Sequence, residues 1–228
     1  MCWLEGGRYG CRCVKTYKSL HAIMESGFMA TRMVLIRHGD TGYPTGTFVG
    51  TTDVGLAEGA AEKARRLGEK LRGENINALY TSSMKRARET GKSIGNALGI
   101  NPSERLSGLN EIDFGRWEMK WWEDVKRENP RDFLKRKQDI WRYSGHGVES
   151  WGKVRDRAMP VIEDLLTRHE GETFAIVSHG VTIRIIHAVL LGLSEEEVNS
   201  MRYPFLVTLF FKKDGDKIEL EKVWCEDE

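Results

Sequence analysis

Two histidines in this chain stand in the same setting. The apolar run MVLI (33–36) leads through Arg37 into His38-Gly39, and FAIV (174–177) leads through Ser178 into His179-Gly180. Short apolar runs bounded by polar chain predict buried strands. In a parallel sheet, residues just past the strand ends gather along one edge, where ligands bind. Neighbouring strands would therefore turn His38 and His179 into one pocket. The glycine after each lets backbone N–H groups approach an anion closely. Either histidine alone would pass for an ordinary loop residue. The pair in matching context predicts a shared site.

The elements that must position this pair alternate along the chain. Ala60, Ala64, Leu67 and Leu71 fall at helical spacing, with Gly73 as the expected stop. NALYT (77–81) predicts the next strand. Ser82 or Ser83 is expected to cap a helix that presents Met84, Ala87, Ile94 and Leu98 and closes at Gly99. A charged, Trp-rich stretch covers 117–143. Ser150 is the expected N-cap of a helix carrying Trp151, Val154, Ala158, Ile162 and Leu165, with Pro160 kinking or interrupting it. TFAIVS (173–178) predicts a buried strand and 181–191 a helix stopped by Gly192. Ser194 with Glu197 spells a capping box. Residues 205–211 and 217–224 flank an Asp214-Gly215 hairpin turn.

This order implies an α/β fold: a three-layer α/β/α sandwich with a mostly parallel central sheet and an antiparallel closing strand. Residues 33–228 are expected to form a single domain. Residues 1–32 lack a clean period and read as a disordered tail or a mis-assigned upstream start, with Met24, Met29 and Met33 as alternative beginnings.

At these motifs the chain resembles the histidine phosphatase superfamily, the phosphoglycerate-mutase-like fold. LIRHGDT (35–41) is similar to its Leu-x-Arg-His-Gly-Glu-Thr signature, and GTTDVGLAEGA (50–60) to its Gly-x-x-Asp-x-x-Leu segment. YTSSMKRARET (80–90) resembles the helix start that carries the family's pocket arginine. LNEIDFGRWEM (109–119) resembles its acid loop, GVES (147–150) its Gly-Gly-Glu-Ser, and VSHG (177–180) its second histidine motif.

The resemblance implies His38 as the nucleophile that becomes a phosphohistidine, with Arg37, Arg86 and His179 around the phosphoryl group and Glu111 as proton donor. Such chemistry requires a neutral imidazole held in one tautomer and donors converging on the non-bridging oxygens. Arginine forks suit phosphate geometry. Thr41, Gly50, Gly180 and Val181 complete the expected substrate-binding set, and no metal or other cofactor is implied. Asp113 and Glu118 stand near Glu111 as rival acids that the residues alone do not rank. Arg86 lies in the basic run 85–88, a pattern that usually marks a solvated helix face, and the motif match sets it apart. Glu149 stands between a plain helix-cap role and pocket contact. His187 reads as a packed helix residue and His169 as a charge near a helix C-terminus. The tryptophans at 117, 121, 122, 141 and 151 read as core and lid.

The chain departs from the family pattern at Asp40 (for Glu), at Pro44 (for a frequent Asn) and in Ser144-Gly145-His146-Gly147 (for a Pro/Gly-rich segment). These changes bear on which ester is bound. Mutases resemble longer chains with a larger insertion, and only 35 residues separate Glu111 from Gly147, so the resemblance implies a small helical cap. The layout is therefore closest to the α-ribazole-phosphate phosphatase and broad-specificity branch. The expected activity is metal-independent phosphomonoester hydrolysis of a small metabolite, with cofactor-dependent phosphoglycerate mutase as the alternative. A metallohydrolase and a non-catalytic phospholigand-binding module are rivals from other classes.

Composition agrees. With 35 Lys+Arg against 34 Asp+Glu, the formal charge is +1, so no global field draws nucleic acid or membrane. The longest apolar runs fall well short of the roughly 18–20 residues of a membrane span, and residues 1–20 contain no secretory apolar core. Cysteines occur only at 2, 11, 13 and 225, which fits a reducing cytoplasm rather than a disulfide framework. The expected partner is a small phosphate ester, and a homodimer is allowed.

Overall fold

The structure, a computed structural model, describes residues 30–201 and 203–225. The expectations for the first 29 residues lie outside that range. In chain order the elements are β1 (Thr31–Arg37), α1 (Ala60–Lys70), β2 (Ile76–Thr81), α2 (Lys85–Leu98), α3 (Trp122–Glu128), α4 (Pro130–Gln138), α5 (Trp151–Arg168), β3 (Thr173–Ser178), α6 (Gly180–Leu191), α7 (Glu195–Ser200), β4 (Thr208–Asp214) and β5 (Lys217–Trp224).

The sheet order is β2-β3-β1-β4-β5. β1 and β2 both run parallel to β3, whereas β4 is antiparallel to β1 and to β5. Both faces are covered, which is why β1 and β3 read as continuous apolar runs rather than alternating ones. Met33, Leu35, Phe174 and Ile176 face a core completed by Ala158, Ile162 and Leu165 of α5 and Ile183 and Ile186 of α6. Their neighbours Val34, Ile36, Ala175 and Val177 face the opposite core, with Ala64 and Leu67 of α1 and Ala87 and Ile94 of α2. Each fully buried aliphatic side chain contributes about 1.5–3 kcal/mol. These are the three layers. A third cluster joins Ile112, Phe114, Trp117 and Val125 to Val148, Trp151 and Ile185, and seats the α3–α4 cap on α5 and α6.

Several local expectations need correction. β1 begins at Thr31, whose hydroxyl accepts from Gly171 N. The chain after α1 tightens into a 3-10 turn over Leu71–Glu74 instead of stopping at Gly73. α5 runs unbroken through Pro160, an exposed position, because the buried residues on its other face keep the helix docked. β4 starts at Thr208, which leaves Phe205 off the strand and beside the histidine pocket. α2 is not capped by Ser82 or Ser83: Asp53 Oδ1 accepts from Lys85 N, and both serines turn toward the site. Ser150 does cap α5, and Ser194 and Glu197 form the expected capping box.

α2 lies hard against the end of β2 because Gly91 has no side chain. A Cβ there would sit well inside van der Waals contact with Thr81 Cγ2. Thr90, its neighbour, accepts from Gly39 N at 3.0 Å, so α2 also docks on the loop after His38. Gly91→Ala is expected to destabilise the fold by about 1–3 kcal/mol through overpacking. Urea unfolding of the variant checks this, and an unchanged midpoint would contradict the packing account.

Candidate active site

Register assembles the site. Arg37 pairs with Ser178 across the parallel β1–β3 ladder, so His38 and His179 are the first residues beyond their strands at equal height. Their ring centroids lie 5.0 Å apart. Both rings are buried.

His38 Nδ1 is 2.7 Å from Gly39 O. A carbonyl only accepts, so the proton of the neutral ring sits on Nδ1 and the lone pair on Nε2. Arg86 Nε approaches that nitrogen at 3.2 Å. His179 is held at the other end of its ring, with Nε2 2.6 Å from Ser82 Oγ. Its Nδ1 is buried without a partner among the described residues.

Arg86, in the first turn of α2, is 1% exposed. Its Nη1 donates to Thr52 O at 3.0 Å and Nη2 to Gly50 O at 2.7 Å. Those carbonyls are placed by Glu118, which accepts from Thr51 N, Thr51 Oγ1 and Thr52 Oγ1 at 2.5–2.6 Å. Burial pushes the Glu118 carboxyl up, but the bonds from Thr51, Thr52 and Phe114 outweigh it and hold it below its ordinary value. Gly50 has φ 54, a left-handed conformation, and a Cβ there would fall on the Glu118 carboxylate. Arg37 stacks its guanidinium 4.1 Å over Phe205 and donates Nη1 to Tyr203 O.

Glu111 lies against the start of α6. Oε2 accepts from Val181 N at 3.2 Å, and Oε1 accepts from Thr182 N at 3.2 Å and Ile112 N at 3.1 Å. A carboxylate at a helix N-terminus meets free N–H groups there.

Burial drives both histidines to the neutral form. Desolvation takes His38 well below its usual value, and Arg37 and Arg86 push in the same direction. His179 is lowered by burial, then by Arg86, His38 and Arg37. Desolvation lowers Arg37 to about 10, which leaves it charged at neutral pH.

The structure thus brings His38, His179, Arg37, Arg86 and Glu111 together. Gly180 lies beside the Arg37 guanidinium. The remaining expected binding residues behave differently. Val181 N points to Glu111, and Gly50 offers a carbonyl to Arg86. Thr41 lies three residues past His38 with no side-chain hydrogen bond to the site among the described residues. Of the rival acids, Asp113 is exposed and accepts from Gly115 N, while Glu118 is the loop brace described above. Glu149 does line the cavity of about 390 Å³ that opens beside Glu111. His187 packs in α6 against Tyr203, and His146 bonds Asp132.

Sequence reasoning missed Ser82, Phe205, Tyr203 and Arg157. Ser82 read equally well as a helix cap, and Tyr203 acts through its backbone, which no side-chain pattern reveals.

Arg37, His38 and His179 at the ends of adjacent parallel strands, Arg86 from the first turn of α2 and the nearby Glu111 carboxylate give an α/β fold a site whose layout suits phosphoryl transfer. The chain belongs to the histidine phosphatase superfamily (branch 1), whose profile matches residues 33–223, and it is a phosphatase of that class. It is 29% identical over 162 residues to phosphoserine phosphatase 1 of Hydrogenobacter thermophilus, covering 71% of this chain and 76% of the relative. It is 30% identical over 209 residues to the Gallus gallus 6-phosphofructo-2-kinase/fructose-2,6-bisphosphatase. There the match takes 91% of this chain but spans only 43% of the bifunctional protein. Among solved structures, Bacillus stearothermophilus YhfR superposes with a TM-score of 0.77 at 29% identity, over 85% of this chain and 96% of that one. No helix of the described residues is long and apolar enough to cross a membrane.

Two outcomes follow from the geometry. Ser82→Ala is expected to lower kcat roughly 5- to 30-fold with little change in KM, the cost of one hydrogen bond of about 1–2 kcal/mol. Loss in KM alone would contradict this role for Ser82. Stability is expected to fall with acid. Burial holds His38 and His179 neutral and lowers His187 to about 4. Below pH ~6.5 the unfolded chain therefore binds protons that the folded one refuses, and each such histidine costs about 1.4 kcal/mol per pH unit. For His187 that loss runs from the unfolded value down to about 4. Urea midpoints at pH 7.5 and 5.5 should differ accordingly, with a smaller gap in His187→Leu.

Proposed function

We propose that this phosphatase hydrolyses a small phosphomonoester through a phosphohistidine on His38, without a metal. The observation that carries the reading is the Nδ1–H bond of His38 to Gly39 O, which leaves Nε2 facing Arg86 as a neutral nucleophile. Arg37, Arg86 and His179 bind the non-bridging oxygens. Nε2 attacks phosphorus, the ester P–O bond breaks, and the leaving oxygen takes a proton from Glu111. Glu111 then takes a proton from water, whose oxygen attacks phosphorus. The P–Nε2 bond breaks, and inorganic phosphate and neutral His38 are restored.

The names of the relatives, a phosphoserine phosphatase and a fructose-2,6-bisphosphatase, support a small polar ester of the cytoplasm as substrate. The cysteine usage supports the same compartment.

Phosphate release from phosphoserine, fructose 2,6-bisphosphate, α-ribazole phosphate and 3-phosphoglycerate, with EDTA present, tests the reading. At least one ester is expected to turn over undiminished by EDTA. His38→Ala is expected to lose about 10³-fold or more in kcat. Equal turnover by that variant, or loss with chelator, would overturn it. Isomerisation of 3-phosphoglycerate stimulated by 2,3-bisphosphoglycerate, with little phosphate release, would establish a mutase instead.

A further inference from the structure

The Gly-Val-Glu-Ser segment and one arginine of α5 take no part in the chemistry above, yet they grip the segment that carries Glu111. We propose that Arg157, clamped by Glu149, is the positioning residue that fixes Glu111 for proton transfer; this rests on the reading of Glu111 as general acid.

All five guanidinium N–H groups of Arg157 have partners. Nε and Nη2 make a bidentate pair with Glu149, at 2.8 Å to Oε1 and 3.0 Å to Oε2. Nη1 donates to Gly108 O and Asn110 O, both at 2.8 Å, and Nη2 also donates to Glu111 O at 3.1 Å. One planar cation thus holds three carbonyls of a four-residue stretch ending at the acid. Glu149 takes the far side: its backbone N donates to Asp113 O at 2.7 Å, and its Oε2 accepts from Asp113 N at 3.2 Å. The stretch also lies directly on α5, since a Cβ on Gly108 would come within 2.6 Å of Arg157 O. The ion pair is largely shielded, with side-chain exposures of 26% and 17%.

The backbone of Glu111 is therefore fixed by α5 while its carboxylate rests on the start of α6. An acid misplaced by an ångström loses much of its effect, because proton transfer requires hydrogen-bond reach. Lysine cannot replace this fork, having three donors at one point rather than five in a plane.

A leaving-group comparison tests the proposal. An alkyl phosphate requires a proton on its departing oxygen, whereas p-nitrophenyl phosphate releases an anion that hardly does. Because Glu111 also serves the later hydrolysis of phosphohistidine, which both esters share, the comparison is read in kcat/KM, which reports only phosphohistidine formation: Arg157→Met is expected to lower it about 10²-fold on the alkyl ester and by no more than about 3-fold on p-nitrophenyl phosphate, within the range of general acid catalysis. Arg157→Lys should fall between. Glu111→Gln, run beside them, must show the same selectivity. If Glu111→Gln shows none, the acid assignment itself fails. If Glu111→Gln shows it and Arg157→Met loses both substrates equally, the clamp is merely structural and the proposal fails. Should Arg157→Met not fold, Arg157→Lys and Glu149→Gln, with thermal midpoints measured, carry the same comparison. Equal losses on both esters in those variants would overturn the proposal too.

Discussion

Two guanidinium groups are taken out of water beside two imidazoles, and the rest of the site is a response to that constraint. Arginine does not discharge on burial, so the neighbouring rings must be the groups that give up charge. The backbone supplies compensation in the form of dipoles. The carbonyls of Gly50 and Thr52 face Arg86, and that of Tyr203 faces Arg37. None of these neutralises the cations, so the pocket keeps a positive field into which a phosphoryl group fits.

That arrangement is built from layers of support. Glu118 positions a loop, the loop positions Arg86, and Arg86 meets His38. Asp53, three residues past Gly50, caps the helix from which Arg86 projects. On the opposite wall, Ser83 binds Asn110 while Arg157 and Glu149 hold the residues on either side of Glu111. Several acidic residues near the pocket thus have fixed structural duties. This separates them from Glu111, whose carboxylate faces the N–H groups of α6.

The sandwich and the histidine pair were legible because both strands are fully buried and run directly into His-Gly. A two-sided strand leaves an unambiguous apolar run, and a parallel pair in register leaves its next residues together. Local end signals were less reliable. Ser82 and Ser83 carry the chemistry of a helix cap, but a buried imidazole and Asn110 compete for the same hydroxyls and win. Pro160 carries the signal of a break, yet the apolar face of α5 outweighs one missing hydrogen bond. Phe205 looked like strand because it is apolar, whereas its ring is used against Arg37. Long-range partners such as Arg157, which lies 46 residues from Glu111, leave no pattern in a single chain at all.

The placement of β1 has a consequence for how the enzyme comes into being. Among the described residues it is the first strand in the chain, yet it lies in the middle of the sheet between β3 and β4. Its partners are residues 173–178 on one side and 208–213 on the other. Such distant pairing closes large loops, which slows folding. During synthesis the strand that leads into His38 must wait, apolar on both faces, until β3 and then β4 have emerged. Chain growth therefore delays burial of His38 and completion of the site, and it leaves MVLIR an apolar segment without its sheet partners until they are made.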